Sequence, residues 1–239
     1  TPDPRVTAAS DPRFKTLGAN MPGWRSVGSW EPDKKPYFNW LRAKGYPVPE
    51  RPLDIWLPQD DDAAPGATQS ASRIPQELSD TTWATECALE YLRGPESDPW
   101  FLHLGYYRPH PPFIAPAPYN AHYDPAEVPA PVRAASPEHE AAQHPLLGHY
   151  VNDIEQLSFF ENGQGRGADM SEDEVRMMRA SYYGMISEID DHLGRVIGHL
   201  KETGQYDDTL IILTSDHGEQ LGDHHLLGKV GYFDESFHI

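Results

Sequence analysis

The pattern of apolar and polar residues along the chain predicts three helices. The first covers residues 36–45 and the second about 80–93, because each has apolar residues at helical spacing and a glycine stop signal at its end. The longest covers residues 171–204, where a capping box begins at Ser171. Its apolar stripe predicts core packing, and its charged residues, Glu188 among them, are expected to face solvent.

Two short apolar runs predict buried strands. Residues 100–107 follow the second helix, and residues 209–214 follow the third, with four aliphatic side chains in a row. Such a run, bounded by polar residues, is typical of a central strand in a parallel or mixed sheet that is covered on both faces. Because helices and strands alternate along the chain, we expect a layered α/β fold.

The remaining segments lack clear periodicity. Outside the first helix, residues 1–78 are predicted to form long packed loops, since Pro, Asp, Trp and Gly are frequent there. Residues 114–170 are also rich in proline, and a segment of this length without clear elements indicates a functional insertion or lid. Its three spaced histidines, His139, His144 and His149, suit neither one helix face nor a zinc spacing, so we expect them on the surface.

Asp216 and His217 follow directly after the second predicted strand. Open α/β sheets collect their ligands at the carboxyl ends of strands, so these two side chains are candidates for a metal site. An Asx-turn followed by a solvated histidine explains the same dipeptide equally well. The glycine-punctuated loop that follows ends at Lys229, whose flexible ammonium would suit the oxygens of a tetrahedral oxyanion.

His110 follows the first predicted strand and stands among three prolines. Prolines on both sides restrict the backbone, so the imidazole would be held with little conformational freedom. Taken alone, this pattern is more typical of a proline-rich loop with an incidental histidine.

Composition narrows the range of partners. The chain has 239 residues and a formal net charge of −18, so neither nucleic acid nor a membrane is an expected partner. A small anionic substrate stays compatible if a metal and a few cations attract it locally. The single cysteine, Cys87, lies on the apolar face of the second helix, where inert packing is the usual role. We expect a soluble protein, and the low cysteine content favours the cytoplasm.

Two segments over 100 residues apart resemble the same family. The run 214–224, Thr-Ser-Asp-His-Gly-Glu-Gln-Leu-Gly-Asp-His, with Lys229 behind it, is similar to the metal motif of the sulfatase branch of the alkaline phosphatase superfamily. The Pro-His-Pro-Pro-Phe run around His110 resembles the active-site histidine segment of that family. Within the family the resemblance is closest to phosphonate monoester hydrolases, in residues 106–113, 141–145 and 228–232.

This resemblance implies an alkaline-phosphatase-like domain, with a central, mostly parallel sheet flanked by helices and with long loop insertions. It also implies one divalent metal ion, bound partly by Asp216 and His217 and partly by acidic residues near the start of the domain. Carboxylate oxygens with one imidazole suit Mn, Mg or Ca. Lys229 would bind the non-bridging oxygens of a small anionic ester, and His110 would hydrogen-bond or protonate the departing oxygen.

The nucleophile that the resemblance implies is a formylglycine made from a cysteine in Cys-x-Pro-x-Arg, which Cys87 does not match. We therefore expect residues 1–239 to be the middle portion of one sulfatase-like catalytic domain, without its N-terminal nucleophile segment and its C-terminal part. The expected enzyme hydrolyses phosphonate monoesters and phosphate diesters, and sulfate esters to varying degrees, and is a homo-oligomer when full length. For residues 1–239 alone we expect no turnover.

Three alternatives stay open. The enzyme could be an arylsulfatase or another sulfate-ester hydrolase of the same family. A phosphatase, phosphodiesterase or mutase of the superfamily could keep the Asp-His pair but use Ser or Thr as its nucleophile. A degenerate or truncated module would only associate with partners, and it would bind no metal.

Overall fold

The computed structural model describes residues 25–28, 34–94 and 99–239. The beginning of the region predicted as loops, over residues 1–78, lies outside the described residues. Helices α1 to α6 span, in chain order, Lys35–Ala43, Asp80–Leu92, Pro137–Ala141, Pro145–Asp153, Glu172–Glu202 and Asp234–Phe237. Short 3-10 turns lie at Pro52–Trp56, Gln76–Leu78, Tyr119–Ala121, Gln156–Ser158, Gly167–Asp169, Tyr206–Asp208 and Asp223–His225.

The three predicted helices are confirmed as α1, α2 and α5, because each carries its own start signal. Ser79 caps α2 by accepting a hydrogen bond from the Thr82 N–H group. Ser171 and Glu174 form the predicted capping box of α5, in which each side chain satisfies a backbone N–H group of the first turn. α1 instead begins with a proline in its first turn.

The insertion, residues 114–170, contains two short helices, α3 and α4, that its composition did not reveal. Ser136 caps α3, and the imidazole of His144 accepts the Leu146 N–H group at the start of α4. His139, His144 and His149 are all exposed, as predicted.

Helix α5 contributes to the largest buried cluster among the described residues. Met178 and Met185 on its inner face pack with Phe113 and Tyr119 from the insertion and the segment before it. The approach is closest at Gly184, where an added Cβ would lie 2.3 Å from the Tyr119 carbonyl oxygen. A second cluster joins α1 to α2, with Tyr37, Leu41, Ile55 and Trp83 buried together.

The two predicted strands do not form among the described residues, and the predicted burial of residues 210–213 is wrong. These four aliphatic residues are exposed, Leu210 to 85%. The described residues pair only in isolated bridges, Pro58 with Ser72 and Glu155 with Arg166. An apolar run becomes a central strand only when neighbouring strands and covering helices reach it, and the described residues bring none to this run.

The expectation for Glu188 on α5 is also wrong. Its side chain is buried, with 1% of the residue exposed, and it accepts a hydrogen bond from the Ser79 hydroxyl. The reason is that α2 packs against α5, so that Ser79 at the start of α2 meets this face of the helix. Asp190 and Asp191 remain on the exposed side.

Among the described residues, no helix is both long and apolar enough to cross a membrane.

Candidate active site

Asp216 and His217 lie in an exposed turn after the apolar run 210–213. His217 Nε2 is 3.6 Å from Asp216 Oδ2, and the Asp216 side chain is 86% exposed. His217 Nδ1 lies 2.6 Å from the Gly218 carbonyl oxygen, so this nitrogen carries the proton. In the neutral ring, Nε2 therefore keeps its lone pair for a cation or a metal.

Gly218 fixes this turn against the start of α6. Its N–H group donates to the Ser236 carbonyl oxygen at 2.8 Å. An added Cβ at this position would lie 2.0 Å from the Glu235 carbonyl oxygen, which is far inside contact distance. The close approach of the two backbones thus requires glycine, and it sets the position of His217 next to it.

Lys229 contacts His217 directly. Its Nζ atom lies 2.9 Å from His217 Nε2, so the ammonium donates to the lone pair of the imidazole. The two residues are joined by the loop 219–229, whose ends are tied together at its base. The Glu219 carboxylate accepts the Gly228 N–H group. The Gln220 N–H group donates to the Gly228 carbonyl oxygen at 3.0 Å.

Gln220 and Glu219 hold the base of this loop from inside the protein. Gln220 is fully buried, and its Nε2 atom donates to the Val230 carbonyl oxygen at 3.1 Å and to the Ser236 hydroxyl at 2.7 Å. Burial raises the pKa of Glu219, while hydrogen bonds from backbone N–H groups lower it. Both the N–H and the C=O group of Gly228 are hydrogen-bonded, and these bonds fix the backbone position of the adjacent Lys229.

The tip of the loop is bound by the insertion and by α5. The Val132 N–H group donates to Asp223, and the His225 imidazole donates to the Ala134 carbonyl oxygen at 2.9 Å. Arg179 of α5 donates to the Asp223 carboxylate at 2.6 Å and to the Leu221 carbonyl oxygen at 2.9 Å. These bonds hold left-handed backbone at Leu221, His224 and His225, with φ between 50° and 54°, which is costly for such residues.

His110 lies in the proline-rich loop 108–113. Its Nδ1–H group donates to the Pro111 carbonyl oxygen at 2.8 Å, and its ring lies 4.4 Å from the Tyr107 ring, measured between centroids. Partial burial lowers the pKa of His110, and the positive charges of Arg108, Lys229 and Lys34 lower it further. The hydrogen bond to Pro111 opposes this shift in the His110 pKa. At neutral pH the free imidazole is thus mostly uncharged.

Three of the four residues singled out from the sequence, Asp216, His217 and Lys229, are linked by direct contacts. The positive charge of Lys229 also lowers the pKa of His110. Cys87 is half-buried, and burial raises the pKa of its thiol to about 11, in agreement with the inert packing predicted for it.

The residues present fit part of a divalent metal site. Asp216 offers carboxylate oxygens, and His217 would offer its Nε2 lone pair, 3.6 Å away, once the Lys229 ammonium turns from it to the oxygens of an ester. A hard cation of the Mn, Mg or Ca type accepts this donor set. The set is incomplete, because the part of the chain that the structure describes contains no group of three side chains able to hold a metal ion.

Sequence reasoning missed three residues that shape this neighbourhood, namely Arg108, Glu219 and Gln220. All three bind backbone groups of loops. A charged or amide residue flanking a glycine- or proline-rich loop is the signal that could have indicated them, since such loops leave backbone groups that need partners.

Comparisons with known proteins agree on one family. The Sulfatase family model matches residues 28–239. The multifunctional alkaline phosphatase superfamily protein PehA of Trinickia caryophylli is 60% identical over 239 residues, which is 100% of this chain and 46% of that protein. The arylsulfatase of Clostridium perfringens is 28% identical over 162 residues, covering 64% of this chain and 29% of that protein.

Two solved structures are similar over almost the whole chain. The crystal structure of the phosphonate monoester hydrolase of Agrobacterium radiobacter superposes with a TM-score of 0.89 at 40% identity, covering 99% of this chain and 46% of that one. The phosphonate monoester hydrolase of Silicibacter pomeroyi gives a TM-score of 0.85 at 38% identity, with the same coverage. The chain thus spans about half the length of these relatives.

Proposed function

Because this chain belongs to the sulfatase family and has its alkaline-phosphatase-like fold, we propose that residues 1–239 are the middle portion of the catalytic domain of a metal-dependent hydrolase. The proposed substrates are phosphonate monoesters and phosphate diesters, with sulfate esters as a third class. The 60% identity to a multifunctional superfamily protein and the similarity to two phosphonate monoester hydrolases support this substrate range.

The observation that carries the proposal is the contact of 2.9 Å between Lys229 Nζ and His217 Nε2. It brings together the Lys229 ammonium, which can bind an anion, and the His217 imidazole, which can bind a metal. The two residues flank a loop that is closed at its base. A divalent metal held by Asp216 and His217 would act as a Lewis acid on the ester oxygens and would hold the nucleophile. Lys229 would then donate to the non-bridging oxygens of the ester.

His110 has the role of a proton donor to the departing oxygen in this proposal. Because its Nδ1–H group is committed to Pro111, the free ring presents an unprotonated Nε2. Donation from Nε2 thus requires the imidazolium form. The negative charge of a bound ester would offset the cations around His110 and favour that form. The proposed nucleophile is a formylglycine outside residues 1–239.

The test uses the complete enzyme that carries this chain, with aryl phosphonate monoesters, aryl phosphate diesters and aryl sulfates as substrates. We expect Lys229→Ala and His110→Ala each to lower kcat/KM by about a hundredfold, the order found when a single stabilising or proton-transferring group is removed. Lys201→Ala serves as the matched control, because Lys201 is exposed on α5. Wild-type rates in both site variants would remove the assignment.

Metal content gives a second readout that does not depend on turnover. Asp216→Asn should reduce the bound Mn, Mg or Ca, measured by elemental analysis after dialysis, because it removes a charged oxygen ligand. Unchanged metal content in that variant would contradict the proposed site. Mass spectrometry of the complete enzyme distinguishes a formylglycine from a Ser or Thr nucleophile.

The similarity to an arylsulfatase over 64% of the chain favours a sulfate-ester hydrolase as the second candidate. The two candidates differ in the ratio of kcat/KM values for matched aryl phosphonates and aryl sulfates. A ratio above one supports the phosphonate proposal, and a ratio far below one supports the sulfatase.

A further inference from the structure

Two residues before His110, the guanidinium of Arg108 is buried inside its own loop. Only 5% of this residue is exposed. Its Nη1 atom donates to the Pro112 carbonyl oxygen at 2.6 Å and to the His110 carbonyl oxygen at 3.3 Å. The Trp56 ring lies against it, with its centroid 5.1 Å from the guanidinium carbon.

The charge of Arg108 is balanced by Asp80. The Nε atom of Arg108 lies 3.4 Å from Asp80 Oδ1, and both side chains are less than 5% exposed. Removing either partner would leave an unpaired buried charge, which is strongly unfavourable. Asp80 is the first residue of α2, and α2 packs against α5. The guanidinium of Arg108 belongs to a loop, but its ion pair with Asp80 fixes it to the packed helices α2 and α5.

The carbonyl groups of residues 110, 111 and 112 link Arg108 to the His110 ring. The carbonyl oxygens of His110 and Pro112 accept hydrogen bonds from Arg108. The carbonyl oxygen of Pro111, between them, accepts a hydrogen bond from Nδ1 of the His110 ring. The carbonyl that orients the imidazole is thus held between two carbonyls that the guanidinium holds. A lysine at this position would keep the charge but could not present several donors in one plane.

We propose that Arg108, anchored by Asp80, is a positioning residue that fixes the backbone of residues 110–112 and thereby directs the His110 imidazole at the departing group of the substrate. This inference rests on the proposed function, because it presumes that His110 donates to the departing oxygen. Arg108 itself does not touch the substrate in this proposal.

The test compares Arg108→Lys, Arg108→Gln and His110→Asn in the complete enzyme, over a series of aryl phosphonate monoesters whose phenols range from acidic to weakly acidic. A misplaced proton donor matters most for poor leaving groups, which need the proton. We expect both Arg108 variants to lower kcat by about tenfold to a hundredfold for weakly acidic phenols. The loss should be much smaller for acidic phenols, and KM should change little.

A double-mutant cycle separates positioning from general destabilisation. If Arg108 acts through His110, adding Arg108→Lys to His110→Asn should lower kcat by less than about threefold, because the group that it positions is already absent. Arg176→Lys is the control, since Arg176 also donates to a backbone carbonyl, that of Val128. Should Arg108→Lys fail to fold, the double variant Arg108→Gln/Asp80→Asn removes both buried charges together and should give the same dependence on the leaving group.

The outcomes distinguish this inference from the proposed function. An equal loss of kcat for all leaving groups, or a full multiplicative loss in the double variant, overturns the positioning role and leaves the role of His110 intact. If His110→Asn alone leaves the rates and their leaving-group dependence unchanged, the proposed role of His110 fails, and the inference fails with it.

Discussion

Glu188 provides a quantitative test of how α2 and α5 pack. Burial raises the pKa of this carboxyl group from an ordinary glutamate value of 4.5 to about 7. The Ser79 hydrogen bond and the charge of Arg108 lower the Glu188 pKa, and the charge of Asp80 raises it, so burial dominates. In the unfolded chain the same group is hydrated and titrates near its ordinary value.

The sign of the pH effect follows from the protons bound in each state. Below about pH 4.5 Glu188 is protonated in both the folded and the unfolded chain, and its stabilising contribution to the free energy of unfolding has its full value. As pH rises toward 7, the unfolded chain loses this proton first, so the free energy of unfolding falls. At about 1.4 kcal/mol for each tenfold change in an equilibrium constant, the loss between pH 5 and pH 8 is about 2 to 3 kcal/mol.

Glu188→Gln should remove this loss, because the amide keeps an acceptor for Ser79 and cannot ionise. We expect urea unfolding, followed by far-UV circular dichroism, to show that the variant gains about 2 to 3 kcal/mol over the wild type on going from pH 5 to pH 8. Asp190→Asn, an exposed change on the same helix, should follow the wild type. If the wild type and Glu188→Gln lose equal stability over this range, burial of an uncharged Glu188 is refuted.

Three further predictions concern the turn, the helix cap and the proton donor. Gly218→Ala should lower kcat/KM by more than about tenfold, because its Cβ would meet the Glu235 carbonyl oxygen at 2.0 Å. Gly194→Ala, whose Cβ would meet no atom within 4 Å beyond its neighbours and the backbone of its own helix, should leave activity unchanged and stabilise α5 by up to about 1 kcal/mol. Ser171→Ala should cost about 1 kcal/mol in urea unfolding, and a loss near zero would contradict its capping role. If His110 is the proton donor, kcat/KM should fall as pH rises through the lowered pKa of His110 in the free enzyme. The fall of kcat should come at a higher pH, because a bound ester favours the imidazolium form. Falls at the same pH would contradict this role.

The helices could be predicted because their signals are local. Ser79 and Ser171 cap helices within three residues of themselves, and the apolar stripes repeat within a few turns. A strand depends on partners that are distant in sequence, and the exposed run 210–213 meets none among the described residues. The burial of Glu188 was hidden for the same reason, since it depends on Ser79, 109 residues away.

The residue types of the candidate site could be predicted from the sequence. The residues that hold those side chains in place could not. Asp216, His217, Lys229 and His110 carry recognisable chemistry in their side chains. The residues that place them, such as Gln220, bind carbonyl groups, and every residue of a chain has a carbonyl group. Which carbonyl groups need a donor is decided only when the loop has folded.

The loop between Glu219 and Lys229 is held at its base and at its tip by different parts of the protein. Its base closes beside His217 through Gly228, whereas its tip is bound by the insertion through Asp223. Because the base is closed by residues of the loop itself, sequence changes in the insertion would act on the tip of the loop without altering the spacing between His217 and Lys229. In the proposed hydrolase, the insertion is therefore free to vary in sequence while the distance between the two site residues is kept.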